Sequence, residues 1–189
     1  KGELKTQHAS PQDLVQIALD LIPRGNIGIA YTYNEPLVGY EFVRDCAKLA
    51  KDKNLKNVVV TNGSFNEEVL NEISPYIDAF NIDLKGFSHE FYKSIGGDFQ
   101  LVKNFISKAH VNAHIEITTL IIPGENDSQE EIINLSNFIA SLNNEIPLHI
   151  SRFFPCYEMV EKKPTEVKKA YELASIARRK LKYVYEGNC

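Results

Sequence analysis

Five short runs carry the side chains in this chain best suited to gripping a polar ligand. They are Thr32-Tyr33-Asn34-Glu35-Pro36, Thr61-Asn62-Gly63-Ser64, Asn81-Ile82-Asp83-Leu84-Lys85, a run from Glu116 and Thr118-Thr119 to Ile121-Ile122-Pro123-Gly124-Glu125-Asn126-Asp127, and His149-Ile150-Ser151-Arg152-Phe153. Carboxylates, amides, hydroxyls and two cations recur in them, and each follows or ends a short apolar stretch. Asp83 and Lys85 are two residues apart, so on an extended segment they point the same way. Each run also has a plainer reading. Asn34-Glu35-Pro36 suits a turn with a carboxylate at a helix start, and Asn62-Gly63 suits a tight turn. Asp83 with Lys85 suits an internal salt bridge, and Glu116, Thr118 and Arg152 suit a structural polar network. His89, His110 and His114 read as solvated, and His149 is given no role. No nucleophile elbow, P-loop, GxGxxG or HExxH motif occurs.

The elements that must position these runs follow from the hydrophobic pattern. Short apolar segments are expected as strands near 27–31, 57–61, 79–83, 114–120, 148–153 and 183–185, as buried parallel strands read. Longer amphipathic stretches at 11–21, 38–52, 67–74, 89–95, 101–110, 129–142 and 166–180 are expected as helices. Ser10-Pro11 supplies an N-cap with Pro at the first helical position. Ser128 with Glu130 and Glu131 places acid in a first turn. Phe42, Val43, Cys46, Leu49 and Ala50 recur at helical spacing, which makes Cys46 a packed core residue.

Alternation of strand and helix at roughly 30-residue intervals means βαβ units and a parallel sheet. In such folds the chemistry gathers at the carboxyl ends of the strands, which is where the five runs fall. Periodicity leaves two architectures open, an open or nearly closed barrel and a doubly wound sheet. The first element is a helix, so a strand is expected before residue 1. Lys1 in place of Met, and Cys189 directly after a strand, read as cut ends.

Composition narrows the function classes. The 189 residues fit one domain, and 43% hydrophobic with 24% charged residues is ordinary for a globular protein. A net charge of −4 with interspersed signs offers no basic stripe for nucleic acid. No apolar run is long enough to span a membrane, and Lys1-Gly2-Glu3-Leu4-Lys5 has no apolar core of a signal peptide. Three cysteines, Cys46, Cys156 and Cys189, make no disulfide framework and have no metal-ligand spacing. A reducing, cytoplasmic setting is expected.

In this order, the five runs resemble the radical S-adenosylmethionine (radical SAM) superfamily, specifically the pyruvate formate-lyase activating enzyme family and within it the AmmeMemoRadiSam branch. The resemblance covers nearly the whole chain. It implies a partial (β/α) barrel with parallel strands, residues 1–189 being one radical SAM core domain that lacks its first strand and cluster loop. It implies a [4Fe-4S] cluster held by a CxxxCxxC loop, and S-adenosylmethionine cleaved reductively to a 5′-deoxyadenosyl radical that abstracts hydrogen from a substrate. A protein such as a glycyl radical enzyme is among the substrates the resemblance implies.

Carried over by motif, Asn34 and Glu35 match a turn that holds the methionine amino group, with Tyr33 and Asn34 standing where the family has glycines. Thr61 and Asn62 match a turn near the cofactor. Asp83 and Lys85 match a pair suited to the amino and carboxylate groups, a complement to a zwitterion. Ile122 and Pro123 would wall the adenine, and Arg152 would lie near the ribose or carboxylate. Two departures stand out. No CxxxCxxC occurs, and three scattered cysteines cannot replace clustered thiolates, so the chain by itself is expected to hold no cluster and to be inactive. Relatives often have His where this chain has Phe154. Two other readings remain: a Schiff-base aldolase-type barrel using Lys85 as nucleophile, and a non-catalytic barrel that only binds a partner.

Overall fold

A computed structural model of the chain describes residues 8–189; the reading made on Lys1–Lys5 lies outside the described residues. Six strands form one sheet in the order β1-β2-β3-β4-β5-β6, and every neighbouring pair is parallel. They are β1 (Gly28–Tyr31), β2 (Lys56–Thr61), β3 (Ala79–Asp83), β4 (His114–Ile121), β5 (Leu148–Arg152) and β6 (Val184–Gly187). The helices are α1 (Pro11–Asp20), α2 (Tyr40–Asp52), α3 (Glu67–Ile73), α4 (His89–Ser94), α5 (Phe99–Asn112), α6 (Gln129–Leu142) and α7 (Val167–Ala177). All six expected strands and seven expected helices are present, and the architecture is a partial barrel. A doubly wound sheet reverses its strand order at a switch point; this sheet runs in sequence order throughout.

Helix boundaries follow their caps. Ser10 and Asp13 form a reciprocal capping box at α1, and the Ser128 side chain accepts from Glu131 N at α6. Two starts differ from the pattern. α5 begins at Phe99, because Asp98 accepts hydrogen bonds from the amides of Gln100 and Leu101 at 2.8 and 3.1 Å. α2 begins at Tyr40, because Pro36–Gly39 is a separate 3-10 turn. α7 ends at Ala177, and residues 178–180 form a turn in place of further helix.

β2, β3 and β4 alternate strictly between two environments, and β5 does so from Leu148 to Ser151. Val59, Phe80, Ile82, Ile115, Ile117, Ile121, Leu148 and Ile150 are buried in one apolar core with Cys46, Ala47, Ile73, Phe105, Ile106, Ile132, Leu135, Ile139, Leu173 and Ala174 of the helices. Each fully buried Ile or Phe here contributes on the order of 1.5–3 kcal/mol. α1 packs Val15 and Ala18 against Ala50 and Leu55 in a smaller cluster beside Ile29. The residues between the core positions, among them Ala30, Val58, Asn81, Glu116, Thr118 and His149, are exposed or half-buried on the opposite, inner face. Among the described residues no helix is long and apolar enough to cross a membrane.

Candidate functional site

The inner face carries a row of polar side chains that crosses four strands. Asp83 is the register partner of Thr118, Thr118 of His149, and His149 of Tyr185. One layer towards the amino ends, Val60, Asn81 and Glu116 are in register. Parallel in-register partners share a face, so this wall follows from the period-two pattern once the pairing is fixed.

At the carboxyl ends a cleft of about 500 Å³ opens between the loops after β1, β2 and β3. It is lined by Asn34, Glu35, Thr61, Asn62, Asp83 and Lys85, together with Thr32, Tyr33, Val60, Asn81 and Thr118. Six of the nine residues singled out from sequence therefore meet in one place. A larger recess, of about 800 Å³, lies around Asp78 and His110–His114 at the amino ends of the strands. Chemistry in parallel α/β folds belongs to the opposite end, so the smaller cleft is the candidate.

Glu35 ties two loops together. Its Oε1 accepts from Leu37 N at 3.2 Å, at the start of the 3-10 turn, and from Thr61 Oγ1 at 2.8 Å. Its Oε2 accepts from Asn62 N at 2.7 Å. The structural reading of Glu35 is thus correct, and one acceptor position on Oε2 still lacks a partner among the described residues. Thr61 Oγ1 accepts from Gly63 N at 3.1 Å, and Asn62 Oδ1 from Ser64 N at 2.8 Å. Gly63 has φ +66°, and a side chain there would press on Ile82. The Asn62-Gly63 turn is therefore required by geometry as well as placed at the cleft.

Lys85 and Asp83 are paired, with Lys85 Nζ 2.6 Å from Asp83 Oδ2; the Lys85 side chain is 36% exposed and that of Asp83 28%. Both charges are accessible from the cleft. A Schiff-base lysine works as the free amine in an apolar pocket, and this one is ion-paired and open to solvent. The aldolase reading finds no support here. The backbone around Lys85 is held from outside: Lys85 N donates to the Tyr92 hydroxyl at 3.0 Å, and burial pushes that phenol up to about 12.

Asn126, 1% exposed, is the functional-looking residue that sequence reasoning left without a role. Its Nδ2 donates to Lys85 O at 2.6 Å and Leu120 O at 2.8 Å, and its Oδ1 accepts from Ile122 N at 2.7 Å. One side chain thus fixes the loop after β4 to the loop after β3. The signal available was its place in the Pro123-Gly124-Glu125-Asn126-Asp127 turn.

Ile122 and Pro123 follow β4 directly and are not among the residues lining the cleft; Ile122 is 8% exposed. Arg152 departs from expectation more clearly. It is in register with Ile121, a core residue, while His149 two positions before Ser151 faces inward. Its guanidinium donates to Thr165 O at 2.7 Å and Asn188 O at 3.0 Å and stacks on Phe154 at 4.9 Å. The parity of β5 turns Arg152 away from the group that Asp83 and Lys85 form, and it joins no network with Glu116 and Thr118.

The cysteines do not suit an iron–sulfur cluster. Cys46 lies fully buried on α2, where burial pushes its thiol up to about 11. Cys156 and Cys189 are exposed and free. Among the described residues no group of three or more His, Cys, Asp or Glu side chains is arranged to hold a metal ion.

Comparison with known proteins agrees with this architecture. The family model described as the Radical SAM superfamily matches residues 1–136. An uncharacterized protein of Methanocaldococcus jannaschii, MJ0808, is 35% identical over 98% of this chain and 55% of its own length. The 4-hydroxyphenylacetate decarboxylase activating enzyme of Clostridioides difficile is 28% identical over 79% of this chain and 47% of its own. The chain spans about half the length of these relatives. Among solved structures, Streptococcus suis SuiB bound to S-adenosylmethionine superposes with a TM-score of 0.77 at 14% identity, covering 99% of this chain and 45% of that one. That likeness bears on the fold.

Proposed function

This chain belongs to the radical SAM superfamily, and from that premise we propose that its cleft is the S-adenosylmethionine-binding wall of an enzyme of the activating type. The chain is related to the activating enzymes of 4-hydroxyphenylacetate decarboxylase and pyruvate formate-lyase. The finer reading is that Asp83 meets the methionine ammonium, with Asn34 and the remaining acceptor of Glu35 beside it. Lys85 meets the carboxylate, Thr61 and Asn62 shape the turn above, and Ile122 with Pro123 flanks the adenine. Arg152 has no part in it, being engaged elsewhere.

When bound, the cofactor pair supplies one-electron cleavage of a sulfonium carbon–sulfur bond and hydrogen-atom abstraction. The residues of this chain bind and orient. An Asp–Lys pair already held at 2.6 Å is a preformed complement to a zwitterion, and a ligand's ammonium and carboxylate would insert as a four-charge cluster. No cysteine set here fits the [4Fe-4S] cluster, so its ligands are placed in this reading on a part of the protein outside these residues. β1 has no second neighbour among the described residues, and Ile17, Ile22 and Ile27 on its approach are 54%, 48% and 75% exposed, which favours a further strand on that edge. Tyr33 and Asn34 in place of glycines favour the AmmeMemoRadiSam branch. A protein substrate is part of the same reading, by analogy with the activating enzymes.

The convergence of Asn34, Glu35, Thr61, Asn62, Asp83 and Lys85 on one cleft carries this conclusion. Calorimetry of S-adenosylmethionine binding to the intact protein encoded with this sequence tests it. Asp83→Asn and Lys85→Met are each expected to weaken binding about tenfold or more, the scale of one lost charge-assisted contact. Absence of binding to the unsubstituted protein would sink the reading.

A further inference from the structure

The row that begins in the cleft at Asp83 and Thr118 continues two strands further, to His149 and Tyr185. Parallel strands are spaced about 4.8 Å apart, so His149 stands about 10 Å along the wall from Asp83. His149 Nε2 is 2.6 Å from Glu116 Oε2, and His114 Nε2 lies 3.4 Å from Glu116 Oε1. The His149 ring stacks on Tyr185, with centroids 5.4 Å apart and planes 26° from parallel. Burial pushes the Glu116 carboxyl up, but the hydrogen bonds from His149 and His114 outweigh it and hold it below the ordinary carboxylate range.

An ionised carboxylate only accepts, so the proton between Glu116 and His149 sits on Nε2. In the neutral ring Nδ1 then carries a lone pair. No hydrogen bond reaches Nδ1 among the described residues, although the ring is fixed in plane by Tyr185 and against flipping by Glu116. Stability gives little reason for the arrangement. Glu116 and His149 are 36% and 31% exposed, and ion pairs that open to solvent contribute little. What the arrangement provides is orientation, one carboxylate holding one imidazole in one tautomer.

We propose that Glu116 and His149 form a second functional site on the inner wall, in which His149 Nδ1 accepts a hydrogen bond, and at need a proton, from a substrate amide N–H or hydroxyl. In the transfer the substrate N–H or O–H bond breaks, its electron pair stays on the substrate, and the new N–H bond forms at Nδ1. The resulting imidazolium is balanced by the Glu116 carboxylate. The site rests on the reading above only in taking the inner wall as the side from which substrate approaches.

The test uses the intact protein with ¹⁵N-labelled histidine, and N-methylacetamide as a minimal N–H donor with N,N-dimethylacetamide as its counterpart lacking the N–H. Nuclear magnetic resonance, recorded at a pH where the ring is neutral, is expected to show the His149 proton on Nε2, and a Nδ1 resonance that moves with the first amide and not the second. Glu116→Leu should cut that response by about half or more, because the ring then loses the acceptor that holds it in one tautomer and one orientation. His149→Gln should leave affinity for S-adenosylmethionine within about twofold, because the dyad lies outside the cleft lining. A proton on Nδ1, or an equal response to both amides, overturns the proposal. So does a loss of cofactor affinity of about tenfold or more in His149→Gln, which would assign His149 to the cleft. If Glu116→Leu does not fold, the tautomer and amide measurements on the unsubstituted protein still decide. A protein that binds no S-adenosylmethionine but shows the Nδ1 response refutes the cofactor reading and leaves the dyad standing.

Discussion

Glu131 shows how a single side chain trades ionisation against position. Its carboxylate accepts the Phe87 amide in the loop after β3. Burial pushes its pKa above the ordinary 4.5, more than the Phe87 hydrogen bond lowers it. For a carboxyl raised in the folded state, ionising costs more folded than unfolded. That penalty is present above the folded pKa and fades as pH falls through it to the ordinary value. Glu131→Gln keeps an acceptor for Phe87 and removes the charge. It is expected to be more stable than the unsubstituted protein at neutral pH, with the difference vanishing towards pH 4.5; urea unfolding across that range measures it. Residues were legible from sequence where motif and strand end coincided, as for Asp83, Lys85, Glu35 and Asn62. Arg152 was misplaced because its face depends on the parity of β5, which only the register with Ile121 fixes. His149 had no assigned face for the same reason. Asn126 was silent because an amide bridging three backbone groups depends on which loops lie side by side.

At the scale of elements, β1 is the most exacting. Four residues pair it to β2, and a Cβ on Gly28 would stand 2.0 Å from the Lys56 carbonyl oxygen. No side-chain rotation relieves a clash with backbone, so Gly28→Ala must push the strands apart. The expected cost is about 3 kcal/mol, the upper end for overpacking, read as a lower urea midpoint with unchanged slope. Strands and helices were legible because the period changes from two to 3.6 at each boundary, and Ser10 and Ser128 announce their helices. The 3-10 turn at Pro36–Gly39 was not, because its start is capped by Glu35 while that carboxylate also reaches to the next loop. The early start of α5 was missed although its cap, Asp98, is of a type that marks helix starts.

As a whole, the molecule is a curved sheet with a core on one side and a polar wall on the other. The cleft draws lining residues from the ends of β2 and β3, from β4 and from the loops after β1, β2 and β3. A ligand bound there fastens loops from separate units to one another. S-adenosylmethionine at about a hundred times its dissociation constant should therefore stabilise the intact protein by about 2.7 kcal/mol, seen as a raised midpoint in thermal unfolding, and by about 1.4 kcal/mol or less in Asp83→Asn at the same concentration. The rivalry between barrel and doubly wound sheet was beyond periodicity, because both alternate strand and helix; strand order alone separates them. That order also bears on how the protein is made. Ribosomes add about 5–20 residues per second, so units of this length emerge seconds apart, whereas secondary structure forms in microseconds. Because each of β2 to β6 pairs with the strand synthesised just before it, these strands can join the sheet one after another at a single edge during translation, and none of them need wait for a distant partner.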